Sequence, residues 1–232
     1  MIEIHKASDR GQADYGWLKT HYSFSFATYY NPQRMGFGKL RVLNDDVVAA
    51  GKGFGMHGHD SMEIITIVLS GSLEHKDSMG NHGIIHAGEV QRISAGSGIS
   101  HSEFNHSKES SVHLLQIWVE PKEEDIEPSY EQKSFGEQKS NVLVPLVLGK
   151  KSKDALYMHQ DGGFYLAKMN NSKSVSFPLP KNHGAYVFVI SGAIHIGAAK
   201  LGQRDAAAIS HESQVVLIAA AESQILLIEV PL

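Results

Sequence analysis

The chain has 232 residues, a formal net charge of −4 and 14 histidines, but no cysteine. The lack of cysteine excludes disulfides, thiolate ligands and a thiol nucleophile. The mild charge, with no cluster of lysine or arginine, argues against direct binding to nucleic acid. No apolar stretch approaches the ~18 residues of a membrane span, and the first residues lack the apolar segment of a signal peptide. We therefore expect a cytoplasmic protein with no membrane partner.

Taken in chain order, the predicted elements are almost all β-strands. Short runs rich in Val, Ile, Phe and Tyr alternate with turn residues, and no convincing long helix is present. The Ser70-Gly71 pair between two such runs predicts a hairpin. This pattern favours a closed barrel or sandwich. The predicted strands are 21–30, 62–69, 72–77, 89–94 and 112–120.

The segment from Pro121 to about Lys153 is polar, has prolines at 121 and 128, and contains few strand formers. Such a composition is typical of a connection between domains. We accordingly expect two domains, residues 1–135 and 136–232.

The two halves of the chain share one order of features. IITIVLSGSLEHKD (64–77) and YVFVISGAIHIGAA (186–199) each contain an apolar run, Ser-Gly and a second strand. Both halves continue to a strand that ends in Ile-Ser and close on an apolar strand, which predicts an internal duplication. The alternative to a duplication is that any two β-barrel halves share Ser-Gly turns. In this alignment His57 and His59 correspond to Pro178 and Pro180, and His101 has no counterpart. We therefore expect chemistry in the first half only and a structural role for the second half.

Two pairs of polar residues carry the candidate chemistry. His57 and His59 are two residues apart, as are His101 and Glu103, so each pair shares one face of a strand. On neighbouring strands they would bring together three imidazoles and one carboxylate, a set that suits Fe, Ni, Cu or Zn. Four ligands on an octahedral ion leave two positions open for substrate. A single H-x-H in a histidine-rich chain is more often incidental, and the combination of both pairs is what favours a metal site.

The sequence gives less information about the roles of Glu63 and the other histidines of this region. Glu63, four residues after His59, is expected to hold a ligand histidine by its distal N–H. His113 begins an alternating strand and could face either way. Four histidines sit near turns and are expected on the solvated surface: His75, His82, His86 and His106.

These residues fall in motifs that resemble those of a known family. The first cupin motif is matched by Gly51-x5-His57-x-His59-x3-Glu63-x7-Gly71, with one extra residue before the last glycine. The second is matched by Gly88-x5-Ser94-x-Gly96-x4-His101-x3-Asn105, with serine in place of the usual proline. Glu103 inside the second motif, together with a second half that lacks ligands, resembles the pirin family. WLKTHYSFSFATYYNP and SAGSGISHSEFNHS are similar to bacterial pirin-like quercetinases.

The resemblance implies a bicupin, an all-β fold of two consecutive cupin (jelly-roll-type) barrels. It places the metal ligands on His57, His59, His101 and Glu103, with iron as Fe2+ the usual metal and other divalent ions open. The implied activity is a dioxygenase that opens a flavonol such as quercetin with O2 and releases carbon monoxide. Glu103 would be the catalytic base for the 3-hydroxyl of the flavonol.

Two other functions stay open at this stage. One is an iron-binding, redox-sensing regulatory protein that acts through a protein partner, and the other is a different cupin chemistry. A cavity of roughly 300 Å3 or more with apolar walls would favour an enzyme, whereas a shallow site beside an exposed patch would favour a partner surface. The candidate wall residues, which are otherwise plain core, are Phe24, Phe26, Phe37, Phe54 and Trp118.

Overall fold

The computed structural model describes residues 1–232 and consists of 22 strands and one 3-10 helix, Ala7–Asp9. The predicted all-β fold is confirmed. No helix has the length and apolar character that crossing a bilayer requires. The strands are β1 Ile2–His5, β2 Gly11–Asp14, β3 Leu18–Tyr22, β4 Leu40–Val48, β5 Gly53–His59, β6 Glu63–Ser70, β7 Ser72–Asp77, β8 His82–His86, β9 Glu89–Ser94, β10 Ile99–Asn105, β11 Val112–Val119, β12 Ser129–Ser134, β13 Val144–Leu148, β14 Leu156–Tyr157, β15 Gly163–Met169, β16 Ser174–Pro178, β17 His183–Ser191, β18 Ile194–Ile196, β19 Ala199–Leu201, β20 Ala206–Ile209, β21 Gln214–Ala219 and β22 Ser223–Pro231.

Two barrels of the same design account for all the strands. The first has a seven-stranded sheet in the order β12-β9-β6-β11-β4-β3-β2 and a four-stranded sheet in the order β5-β10-β7-β8. The second repeats this plan as β1-β20-β17-β22-β15-β13-β14 and β16-β21-β18-β19. The matching strand orders confirm the internal duplication.

The edge strands of the two large sheets are exchanged along the chain. β1, at the N-terminus, pairs with β20 of the second barrel, with Ile2 opposite Ile209. β12, which follows the first barrel in sequence, pairs with β9 and completes that barrel. The boundary at residue 135 stays a prediction, but Ile2–His5 belong by pairing to the sheet of the second barrel.

The connection between the barrels contains regular strands that the sequence did not predict. β12 and β13 lie within the polar segment 121–153. β12 is an edge strand with one neighbour, so it needs little apolar side chain. The polar composition of this segment is therefore the reason that β12 was not predicted.

The predicted hairpin at Ser70-Gly71 is wrong. β6 pairs with β9 and β11 in the large sheet, whereas β7 pairs with β8 and β10 in the small sheet. The chain turns a corner between sheets at Gly71, whose φ of 79° lies in the left-handed region that favours glycine. The predicted strand 21–30 also ends early, at Tyr22, because the Ser25 hydroxyl bonds the backbone of Asn31 and folds the chain back.

The two large sheets pack against each other through the main core of the molecule. This core has 23 buried apolar residues from both barrels, among them Ile65 and Leu115 of the first and Tyr186 and Leu226 of the second. The interior of the second barrel is filled by a separate cluster of 18 apolar residues. The first barrel has only small interior clusters of 7 and 4 residues, and its remaining interior holds the candidate site.

Candidate metal centre

Antiparallel pairing of β5 with β10 brings together three histidines of the first barrel, of which His101 is buried, His59 half-buried and His57 exposed. His57 lies opposite His101, and His59 lies opposite Ile99, so the imidazoles share one face. The ring centroids are 4.5 Å apart for His57 and His101, 4.8 Å for His57 and His59, and 5.0 Å for His59 and His101. Their ligand atoms all lie within 4.8 Å of one another, a spacing suited to one metal ion.

A β-bulge shapes this end of the site. From His101 to Glu103 the strand β10 advances two residues, while β5 advances three, from His57 to Phe54. Bulges re-aim side chains and are common beside active sites. The Nδ1–H of His57 donates to the carbonyl of Gly55 at 2.8 Å, within the bulge, which leaves Nε2 free as the ligand atom.

The protonation chemistry of the histidines suits a cation. Burial, with the neighbouring His101 and His57, lowers the pKa of His59 to about 4, and burial also lowers the pKa of His101. Both rings are therefore neutral near pH 7, the form that binds metal. Both ring nitrogens of His101 are buried without a hydrogen-bond partner, and a metal ion would satisfy one of them.

Glu103 is fixed by side chains from the facing large sheet. Gln91 Nε2 donates to Oε1 at 2.7 Å and Gln116 Nε2 donates to Oε2 at 2.8 Å. The carboxyl group is 1% exposed and has no lysine or arginine among its partners. A buried carboxylate requires a compensating charge, and its ligand atom lies within 4.8 Å of those of His75 and His101. Glu103 thus shares His101 with the three histidines but belongs to a second, overlapping group, and imidazole and carboxylate ligands of this kind suit a divalent metal.

The surface prediction for His75 is wrong. His75 is 0% exposed, donates from Nε2 to Asp77 Oδ2 at 3.0 Å, and stacks on Tyr130 with ring centroids 4.5 Å apart. Leu73, His75 and Asp77 alternate inward along β7, and this period-two pattern was the available signal. His82, His86 and His106 are exposed as predicted. His113 lies outside the site, where its Nε2 is 2.6 Å from Asp45 Oδ1.

The expected role of Glu63 is also wrong. The Ser94 hydroxyl donates to its carboxylate at 2.9 Å, and no ligand histidine does so. Glu63 shares its strand face with Ile65 and Ile67 of the core between the barrels, whereas Thr66 faces Glu103. An odd-numbered position on β6 thus points away from the site.

A cavity of about 420 Å3 is lined by His57, His59 and Glu103, whereas His101 does not line it. Phe26, Phe54 and Trp118 line it, as the sequence predicted. Phe24 and Phe37 do not; they pack on Tyr186 at the interface between the barrels, with ring centroids 5.3 and 6.0 Å from it. The lining residues that sequence reasoning missed include Trp17, Thr20, Tyr22, Asn44, Asp46 and Gln116.

Burial raises the pKa of Asp46 to about 7. This carboxyl therefore changes charge near neutral pH inside a cavity that also has aromatic walls. Its inward position follows from alternation on β4, where Asp45 faces the opposite side and pairs with Arg10.

Two packed jelly-roll barrels, with a histidine cluster and a buried carboxylate inside one of them, define a metal-binding bicupin. A family model described as Pirin matches residues 3–119, and one described as Quercetinase C-terminal cupin domain matches residues 146–230. The chain belongs to the pirin family.

Individual relatives agree along the whole chain. A protein of Escherichia coli K12 named quercetin 2,3-dioxygenase is 42% identical over 232 residues, which cover 100% of this chain and 99% of the relative. A pirin-like protein of Caulobacter vibrioides is 37% identical, with 99% of each chain covered. The crystal structure of the bacterial pirin YhhW from E. coli in complex with nickel(II) is 40% identical and superposes with a TM-score of 0.95, covering 100% of this chain and 99% of that one. The chain is thus similar over its full length to proteins named quercetin 2,3-dioxygenase, and it is an enzyme of the pirin family.

Proposed function

We propose that the enzyme cleaves flavonols such as quercetin with O2 and releases carbon monoxide, using Fe2+ held by His57, His59, His101 and Glu103. The observation that carries the proposal is the cavity of about 420 Å3, which joins His57, His59 and Glu103 to aromatic walls. A flat aromatic substrate fits such walls. The site supports an enzyme better than the alternative of a redox-sensing regulator, because His57, His59 and Glu103 line this cavity.

When bound, the metal would act as a Lewis acid toward the 3-hydroxyl and 4-ketone of the flavonol and lower the pKa of that hydroxyl. Glu103 takes the hydroxyl proton on a carboxylate oxygen as the substrate enters. Gln91 and Gln116 keep the carboxylate pointed at the site through their two amide hydrogen bonds. The residue thus combines proton transfer with metal binding.

The cavity walls orient the substrate and exclude water from the site. Trp118 meets His59 edge-on with centroids 4.9 Å apart, and Phe26 packs against Trp118 at 5.3 Å. Aromatic faces on the substrate plane hold the ring to be cleaved beside the cluster and exclude water from it.

The test is carbon monoxide release from quercetin in air, by protein stripped of metal and reloaded with Fe2+, Ni2+, Co2+, Mn2+, Cu2+ or Zn2+ in turn. His101→Ala is expected to lose both metal and activity. Glu103→Gln is expected to slow turnover by about 10² or more, because it removes the proton acceptor. His106→Ala, at an exposed histidine, is the control. The proposal fails if protein with one metal per chain releases no carbon monoxide, and the metal with the highest kcat identifies the cofactor.

The cytoplasmic location stays a prediction, which cell fractionation tests.

A further inference from the structure

Two polar residues on β4 face the cavity from the large sheet, whereas the histidines lie on the small sheet. Asn44 and Asp46 both line the cavity and are 4% and 3% exposed. On the equivalent strand of the second barrel, β15, the interior positions are held by Ala167 and Met169 of the apolar cluster. The barrel design therefore does not require polar residues here.

Both residues present acceptor atoms that the protein leaves unpaired. Asn44 Oδ1 and Asp46 Oδ1 are buried and accept no hydrogen bond, and the buried Thr20 hydroxyl, opposite Asp46 in the sheet, is unpaired as well. The neighbouring amide of Gln116, opposite Asn44 in the sheet, is already committed to Glu103. Because buried polar groups are almost always paired, the two oxygens are suited to receive donors from a bound molecule.

These acceptors lie on the sheet that also holds the carboxylate of Glu103 in place. Asn44 stands one strand away from Gln116, a spacing of about 4.8 Å, and Gln116 holds Glu103. The indole N–H of Trp118, beside His59, is a buried donor without a partner. The cavity thus offers a donor near the histidines and acceptors on β4, so it discriminates between the two ends of a ligand.

We propose that Asn44 and Asp46 form a hydroxyl-binding subsite that selects polyphenolic substrates, in which phenolic hydroxyls remote from the reacting enol donate to the two side chains. This inference rests on the proposed flavonol chemistry and adds the substrate feature that the enzyme recognises. A phenolic hydroxyl is a strong donor on a flat ring that the aromatic walls accept. A ligand without it leaves the acceptors unpaired, and this is the kind of mismatch that gives strong discrimination.

The experiment compares quercetin with 3-hydroxyflavone, which has the same enol and ketone but no phenolic hydroxyl. Both tryptophans of the chain, Trp17 and Trp118, line the cavity. Quenching of their fluorescence under anaerobic conditions therefore reports binding without turnover. Carbon monoxide release in air gives kcat/KM separately.

The expected result is a preference for quercetin of at least about tenfold, in binding and in kcat/KM, in the wild-type holoenzyme. Asn44→Val and Asp46→Val are expected to reduce that ratio toward one, chiefly through Kd and KM. Asp46→Asn keeps an acceptor oxygen and is expected to retain most of the preference. Phe54→Leu is the comparison variant, because loss of an apolar wall weakens both flavonols alike. Circular dichroism and thermal unfolding check that each variant is folded.

Equal preference in the wild type and both valine variants would overturn the subsite even if carbon monoxide is released, and the proposed function would then stand alone. A preference in anaerobic binding that both valine substitutions abolish, without carbon monoxide release from either flavonol, would support the subsite and refute the dioxygenase chemistry. No preference in the wild type would refute the subsite directly.

Discussion

Glu103 depends on residues that lie far from it in sequence. Gln91, Thr66 and Gln116 come from three adjacent strands, β9, β6 and β11, and all bond to its carboxylate or lie within hydrogen-bond distance of it. Because they occupy one row across the large sheet, the row sets the depth of the carboxylate in the barrel. Local spacing predicts His57, His59, His101 and Glu103 as candidate ligands. It cannot find the supporting row, whose members are joined only by strand register.

Parity along a strand explains the residues that sequence reasoning placed wrongly. Counting in twos from Leu73 would have put His75 inside, and counting in twos from Ile65 would have put Glu63 outside the site. Proximity to a turn or to a motif was a weaker guide than the alternation of the strand itself.

The buried carboxyl of Glu63 makes stability depend on pH. Burial raises its pKa to about 7 in the folded protein, above its ordinary value of 4.5. The folded state therefore binds this proton more tightly than the unfolded state. The stability that it contributes is fully present below pH 4.5 and is lost as the pH rises through 7. Glu63→Gln removes this ionisation, so the wild type is expected to lose up to about 3 kcal/mol relative to the variant between pH 4.5 and 8.5.

Urea unfolding across that pH range measures the difference between the two proteins. Glu109→Gln, at an exposed glutamate on the same barrel, is the matched control and is expected to follow the wild type. Parallel pH profiles for wild type and Glu63→Gln would show that Glu63 stays charged in the fold.

At the scale of elements, the β5–β10 ladder was predictable and the sheet corners were not. The apolar run 62–69 correctly predicts β6, but a run followed by Ser-Gly does not reveal whether the next strand pairs with it or moves to the other sheet. The choice is made by packing, since Leu73 of β7 joins Val68 of β6 in the cluster between the two sheets. Strand content was therefore easier to predict than strand pairing.

Gly71→Ala tests the corner. Its φ is 79°, and an added Cβ would lie 3.0 Å from the carbonyl oxygen of Ser111 and from the Cα of Val112. We expect a loss of about 1–2 kcal/mol from the backbone conformation plus a further loss from the contact. Gly80→Ala is the control, because Gly80 has a φ of 92° with no atom within 4 Å and isolates the backbone cost. Thermal unfolding should place Gly71→Ala below Gly80→Ala, and equal melting temperatures would contradict the contact.

At the scale of the molecule, the second barrel covers an apolar face of the first. Ile65, Ile67 and Leu115 point into the core that both barrels share. A chain ending at Lys122 lacks this cover and also lacks β12, which leaves the edge of β9 unpaired. We expect the chain that ends at Lys122 to aggregate. The longer chain, residues 1–135, keeps β12 but still exposes the apolar face, so we expect it to bind a hydrophobic dye. Gel filtration and metal analysis measure both, and a monomeric, metal-loaded and fully active 1–122 would show that the second barrel is dispensable.

The exchanged edge strands have a consequence during synthesis on the ribosome. β1 is synthesised early, but its partner β20 is completed only about 200 residues later, which at cellular elongation rates of about 5–20 residues per second means a delay of roughly 10–40 s. During that time the strand Ile2–His5 of the nascent chain lacks its partner. The large sheet of the second barrel can form completely only after β20 has been made, so β1 is synthesised early and paired late.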